Sequence, residues 1–182
     1  MKRSSFIFLA FLAVLGSLVA CHSDKKSNIL VEHNVPYVPQ EHRMPEYNFS
    51  DTVSIGSHKY VYTIHREPSD SLPKVKDEMG DTYFDNFYQI TILRDNASFF
   101  EHRFVKRDLN AFLSRDFQRN GIIDGFRFVG TEGGRLIFGL CVSYPDSDMS
   151  APFLLTIAPN ASFVIEPDDV MDVEETADTA SI

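Results

Sequence analysis

Cys21 carries the most definite chemistry in this chain. It ends the run Leu18-Val19-Ala20-Cys21, where a small residue stands directly before a thiol. That pattern suits a peptidase that must approach the backbone at Ala20, and a sulfur that takes a diacylglycerol. Upstream, Lys2 and Arg3 form a positive n-region, and Phe6–Val14 is an apolar stretch of signal length. A membrane-spanning helix needs roughly 20 apolar residues, and here polar His22-Ser23-Asp24-Lys25-Lys26 follows at once. Residues 1–20 are therefore expected to be a lipoprotein signal, with Cys21 as the lipidation site. Two or three acyl chains anchor a protein stably where one chain does so marginally. With Cys21 lipidated, Cys141 has no partner for an internal disulfide. It sits in an apolar strand pattern and reads as a buried, inert thiol.

The remaining candidates are polar side chains in short clusters. Asp85 and Asn86 follow Tyr83-Phe84 and precede an alternating run. They could bind a cation or ligand, or cap backbone groups in a turn. Asp146 and Asp148 flank Ser147 in the loop after another alternating run. Alternating carboxylates can meet calcium's need for 6–8 oxygen ligands. This pair lacks the glycine and terminal glutamate of the calcium loop. His102 lies between Phe100 and Phe104 at strand spacing. It reads as a core histidine or as a site histidine served by Asp85 or Glu101. Asp85, Asn86, His102, Asp146 and Asp148 are the candidate ligand-binding residues. The Gly-x-Ser-x-Gly elbow, the phosphate loop and the dinucleotide fingerprint do not occur. No catalytic residue, metal site or cofactor is assigned.

These groups must be positioned by a β-rich body. Period-2 alternation runs through Tyr60-Tyr62-Ile64, Tyr88-Ile90-Ile92, Phe100-Phe104, Leu136-Phe138-Leu140-Val142-Tyr144, Phe153-Leu155-Ile157 and Phe163-Ile165. Asp95-Asn96, Gly133-Gly134 and Pro159-Asn160 mark turns between these runs. One segment has helical spacing instead. Leu109, Phe112, Leu113 and Phe117 form one stripe, with Asp108 as N-cap and Gly121 as a left-handed stop. The expected fold is α+β, a mostly antiparallel curled sheet of six or seven strands with one helix over 109–119 packed on it. A small β-sandwich or half-barrel with one helix is the alternative. The 16 phenylalanines and absence of tryptophan suit an aromatic core in either.

The expected organisation is a signal over 1–20, the lipidated cysteine and a flexible tether over 21–50, one domain over 51–167 and an acidic disordered tail over 168–182. Prolines 36, 39 and 45 favour extended backbone in the tether. The tail carries Asp168, Asp169, Asp172, Glu174, Glu175 and Asp178 with no Lys or Arg. Formal net charge is −9, and loss of Lys2 and Arg3 makes the chain more acidic. Nucleic acid is not an expected partner, because phosphate binding rests on Lys and Arg.

The Leu18–Cys21 run, the polar tether, Tyr83-x-Asp85-Asn86 and Phe104-Val105-Lys106 resemble a group of small Bacteroidetes lipoproteins filed as a domain of unknown function. The resemblance covers most of residues 21–167. It implies a cell-envelope location and supplies no activity. The expected function is a lipid-anchored envelope module, placed at the outer membrane on its periplasmic or surface face, that binds an envelope protein or glycan without catalysis. A small hydrolase using His102 and a calcium-dependent binding module are the alternatives.

Overall fold

The computed structural model of the chain describes residues 36–168. The expected signal, Cys21 and the acidic residues from Asp169 onward lie outside them. Strands β1 (Glu41–His42), β2 (Tyr47–Ile55), β3 (His58–Pro68), β4 (Val75–Lys76), β5 (Thr82–Tyr83), β6 (Asn86–Arg94) and β7 (Ala97–Val105) come first. A 3-10 turn (Lys106–Leu109) and a short helix α1 (Arg115–Asn120) follow. Then come β8 (Ile122–Glu132), β9 (Arg135–Ser143), β10 (Ser150–Ile157) and β11 (Phe163–Pro167).

The strands divide between sheets, which overturns the expected α+β fold built on a single six- or seven-stranded sheet. One antiparallel sheet has the order β2-β3-β6-β7, and a second the order β11-β10-β9-β8. A small third sheet, β1-β5-β4, pairs β1 with β5 in parallel. The inward residues of both four-stranded sheets form one hydrophobic cluster. Aromatic rings interlock across it. Tyr62 meets Phe128 at 5.0 Å and Phe138 at 5.4 Å, while Phe126 stands edge-on to Tyr88 and Phe104, each at 5.7 Å. Edge-to-face pairs suit the ring quadrupole and add to the burial of apolar area. Packing one sheet on the other thus takes the role expected of a covering helix.

The turns obey local chemistry. Asp95 and Asn96 both take positive φ (52° and 66°), the twist-matched two-residue loop of a hairpin. Gly133 and Gly134 do the same between β8 and β9. Near the N-terminus, β1 and the first half of β2 fall in the stretch read as tether, and both are paired. Most of β2 is exposed, so it shows no strong burial alternation.

The helix expected over 109–119 is replaced by two shorter pieces. Asp108 does not cap a helix beginning at Leu109; its carboxylate accepts from the Val105 N–H behind it at 2.9 Å. Ser114 is extended (ψ 159°) and its hydroxyl accepts from Phe117 N, starting α1 afresh. Gln118 donates to the Asn110 and Leu113 carbonyls left over by the break. Leu109 and Leu113 are buried, whereas Phe112 is exposed. Gly121 is not left-handed either (φ −89°). It is needed for space, since a Cβ there would stand 2.7 Å from Val142 Cγ1 and 2.8 Å from the Phe117 carbonyl.

Gly121→Ala is expected to destabilise the protein by about 1–3 kcal/mol through this overpacking, measured by urea denaturation. Asp51 places a charge midway along β2, an edge strand of its sheet. Such charges oppose edge-to-edge pairing. Asp51→Val is expected to raise self-association, read by light scattering against protein concentration.

Candidate functional site

Asp85 and Asn86 sit where β5 passes into β6, and both are buried. They grip one residue of β8 from both sides. The Asp85 carboxylate accepts from the Ile123 N–H at 2.8 Å, and the Asn86 amide donates to the Ile123 carbonyl at 2.8 Å. The grip falls at a β-bulge. Ile123 pairs with Val142 and Gly125 with Cys141, so Asp124 is the extra residue. Bulges leave backbone groups without ladder partners. Here the Tyr88 hydroxyl donates to the Asp124 carbonyl at 2.6 Å.

Lys106 completes this network from the end of β7. Its ammonium lies 3.7 Å from Asp85 Oδ2 and donates to the Gly121 carbonyl at 2.5 Å. Burial pushes the Asp85 carboxyl above its ordinary range, opposed by the Ile123 N–H and Lys106. Burial likewise pushes the Lys106 ammonium down. A buried charge needs such a partner. Asp85 and Asn86 therefore shape the backbone and are closed to solvent.

The other candidates lie elsewhere. His102 packs on Phe104 at 4.3 Å and Phe163 at 5.0 Å. Glu101 accepts from Gln89, and no hydrogen bond joins His102 to a carboxylate among the described residues. Asp148 is exposed. Cys141 is half-buried beside Ser143 at 3.4 Å, and burial pushes its thiol up. The Ser71-Leu72-Pro73-Lys74 stretch has Ser-x-x-Lys spacing. Its serine pairs with Ser69, and its ammonium lies 3.9 Å over the Phe84 ring.

Of the five, Asp148 borders a hollow of about 590 Å³ beside Cys141 and Phe153, and Asp146 reaches a smaller cleft where the polar side chains gather. The cleft, about 300 Å³, opens where β1, β5, the β8 bulge and the loop after β9 meet. His42 and Tyr83 form one wall, their rings stacked at 4.6 Å and 13°. Tyr83 donates its hydroxyl to Asp146 at 2.6 Å, which holds the phenol well above its usual range. Tyr144, packed on Phe117 at 4.6 Å, lines the cleft with Met44 and Ile122. Asp124 enters from the bulge. Ser143 donates to one of its oxygens at 3.0 Å, and burial pushes the carboxyl up.

Behind His42, Asp81 holds the N-terminal stretch in place. It accepts from the Tyr37 hydroxyl at 2.5 Å, the Gln40 N–H at 2.7 Å and His42 Nε2 at 2.8 Å. These bonds, led by Tyr37, lower the Asp81 carboxyl; the same contact pushes the Tyr37 phenol up to about 12. His42, Asp124 and Tyr144 were not singled out as ligand contacts from sequence. They come from separate segments, and no local pattern joins them.

A family model described as a domain of unknown function, DUF4738, matches residues 25–165. The chain belongs to this family. No curated protein matches it significantly. The matched span of the DUF4738 domain contains every residue lining the cleft. Among the described residues, no three His, Cys, Asp or Glu side chains are grouped to hold a metal ion.

Removing one member of a buried ion pair leaves the other unmatched. Lys106→Met is expected to cost about 3–5 kcal/mol in urea denaturation, and Lys106→Met with Asp85→Asn to recover part of it. A carboxylate lowered in the fold stabilises above its unfolded value, about pH 3.9, and loses that contribution as pH falls through the folded value. Between about pH 4 and 2, wild type should therefore lose stability more steeply than Asp81→Asn.

Proposed function

We propose that this DUF4738 protein is a lipid-anchored cell-envelope protein whose domain binds a ligand in the cleft without chemical turnover. The Leu18–Cys21 pattern supports the anchor, and the outer membrane, on either face, is the location this reading takes. The observation that carries the binding role is the convergence of three aromatic rings and two carboxylates from separate segments on one concave surface. Sites of this kind combine apolar walls with a few placed polar groups. His42 Nε2 is engaged by Asp81, and the Tyr83 phenol by Asp146. Both side chains thereby serve as fixed walls. A protein or glycan of the envelope is the ligand class.

Two measurements test this reading in the native organism. The full chain should incorporate labelled palmitate and sediment with membranes, and Cys21→Ala should do neither. A photo-reactive residue replacing Ser147, at the cleft mouth, should capture a specific adduct. The same residue replacing Glu132, at the opposite end of β8, should not. Equal capture at both positions would reject the cleft as the binding site, and specific turnover by the purified protein would reject the non-catalytic role.

A further inference from the structure

We propose that the cleft recognises an organic cation, a primary ammonium carried on an alkyl stem. This rests on the reading of the cleft as a binding site and names the chemistry of its ligand. The bulge in β8 delivers Asp124 to the cleft as the unpaired residue between Ile123 and Gly125. Three buried side chains, Asp85, Asn86 and Tyr88, hold the backbone on either side of the displacement. The carboxylate so placed is half-buried. It accepts one side-chain hydrogen bond, from Ser143, and feels the Arg66 guanidinium only at longer range, with no ion pair to it among the described residues. A partly desolvated carboxylate without a directly paired cation is unfavourable, and a ligand cation seated in the cleft would relieve it.

The rest of the lining fits the same guest. Asp146 adds a second carboxylate, with one oxygen taken by Tyr83. The one arginine in the lining, Arg43, is turned aside: it pairs with Asp70 at 2.7 Å and lies 3.4 Å over the Phe84 ring. His42 is tied to Asp81. Tyr83 and Tyr144 line the cleft, and aromatic rings attract cations through their quadrupole. Met44 and Ile122 supply apolar surface for an alkyl stem, the division of labour by which a lysine buries its methylenes while its head stays polar. Calcium, in contrast, seeks 6–8 oxygen ligands, more than these walls provide.

The test uses the purified full chain in detergent. Calorimetry compares Nα-acetyl-lysine methylamide with its neutral Nε-acetylated form, and cadaverine with a lysine-containing peptide. The charged probes should bind and the neutral form should bind at least about tenfold more weakly, as expected for loss of a partly buried charge pair. Asp124→Asn, which can keep the Ser143 bond, should reduce binding by a similar factor. Should that variant unfold, Asp146→Asn and the charged-to-neutral comparison on wild type decide the matter. Tighter binding of the peptide points to a polypeptide lysine, and tighter binding of cadaverine to a free amine. Equal binding of charged and neutral probes, no binding of either, or stabilisation by calcium in their place would overturn the proposal. A specific adduct at position 147 alongside a negative result here would leave the binding cleft standing and reject only its cationic ligand; loss of both would reject the two readings together.

Discussion

The grip of Asp85 and Asn86 on Ile123 is the interaction on which the rest of the structure depends. β8 is the edge strand of its sheet, and Ile123, beside the bulge at Asp124, is buried. Each unmatched buried group costs about 1–3 kcal/mol, so side chains must stand where a further strand would pair. Asp85 takes the N–H of Ile123, Asn86 meets its carbonyl, and Tyr88 meets the carbonyl of Asp124. All three come from the junction of β5 with β6, in the other half of the molecule. The contact therefore joins the two sheets by polar geometry where the aromatic core joins them by area.

That grip has consequences on both sides. On the buried side, the Asp85 charge requires compensation, and Lys106 is drawn under the core from the end of β7 to provide it. Lys106 also takes up the carbonyl of Gly121, at the turn into β8. The absence of a side chain at Gly121 lets Phe117 and Val142 close over this point. On the open side, the displaced Asp124 becomes a cleft residue. The small β1-β5-β4 sheet then sets the facing wall, because Asp81 fastens the Tyr37–His42 stretch beside Tyr83. One short motif, Tyr83-Phe84-Asp85-Asn86, thus supplies a cleft wall at its first residue and the structural grip at its last two.

Local features of this fold were legible in the sequence. The alternating runs became strands because a half-buried strand must alternate, and the Asp95-Asn96 and Gly133-Gly134 loops became hairpins because those residues accept positive φ cheaply. Where two local signals competed, the sequence was ambiguous. The spacing of Leu109, Phe112, Leu113 and Phe117 describes one helical stripe, but Ser114 offers a cap in its middle. Capping there let the chain turn between the two sheets, and tertiary packing favoured the break.

What only the tertiary structure decided is how strands group and which side chains meet. Alternation reports that a strand has a buried face and carries no information about which sheet covers it, so one curled sheet and two packed sheets read alike. β2 escaped the pattern because its surface is mostly exposed. The cleft escaped it for a stronger reason: His42, Tyr83, Asp124 and Asp146 are brought together by long-range contacts, and Asp124 faces the cleft only because a bulge shifts the register by one residue. A one-residue shift reverses the face of a strand. Sequence alone specified the residues, the turns and the expected anchor; the neighbours that turn those residues into a site exist only once the sheets are packed.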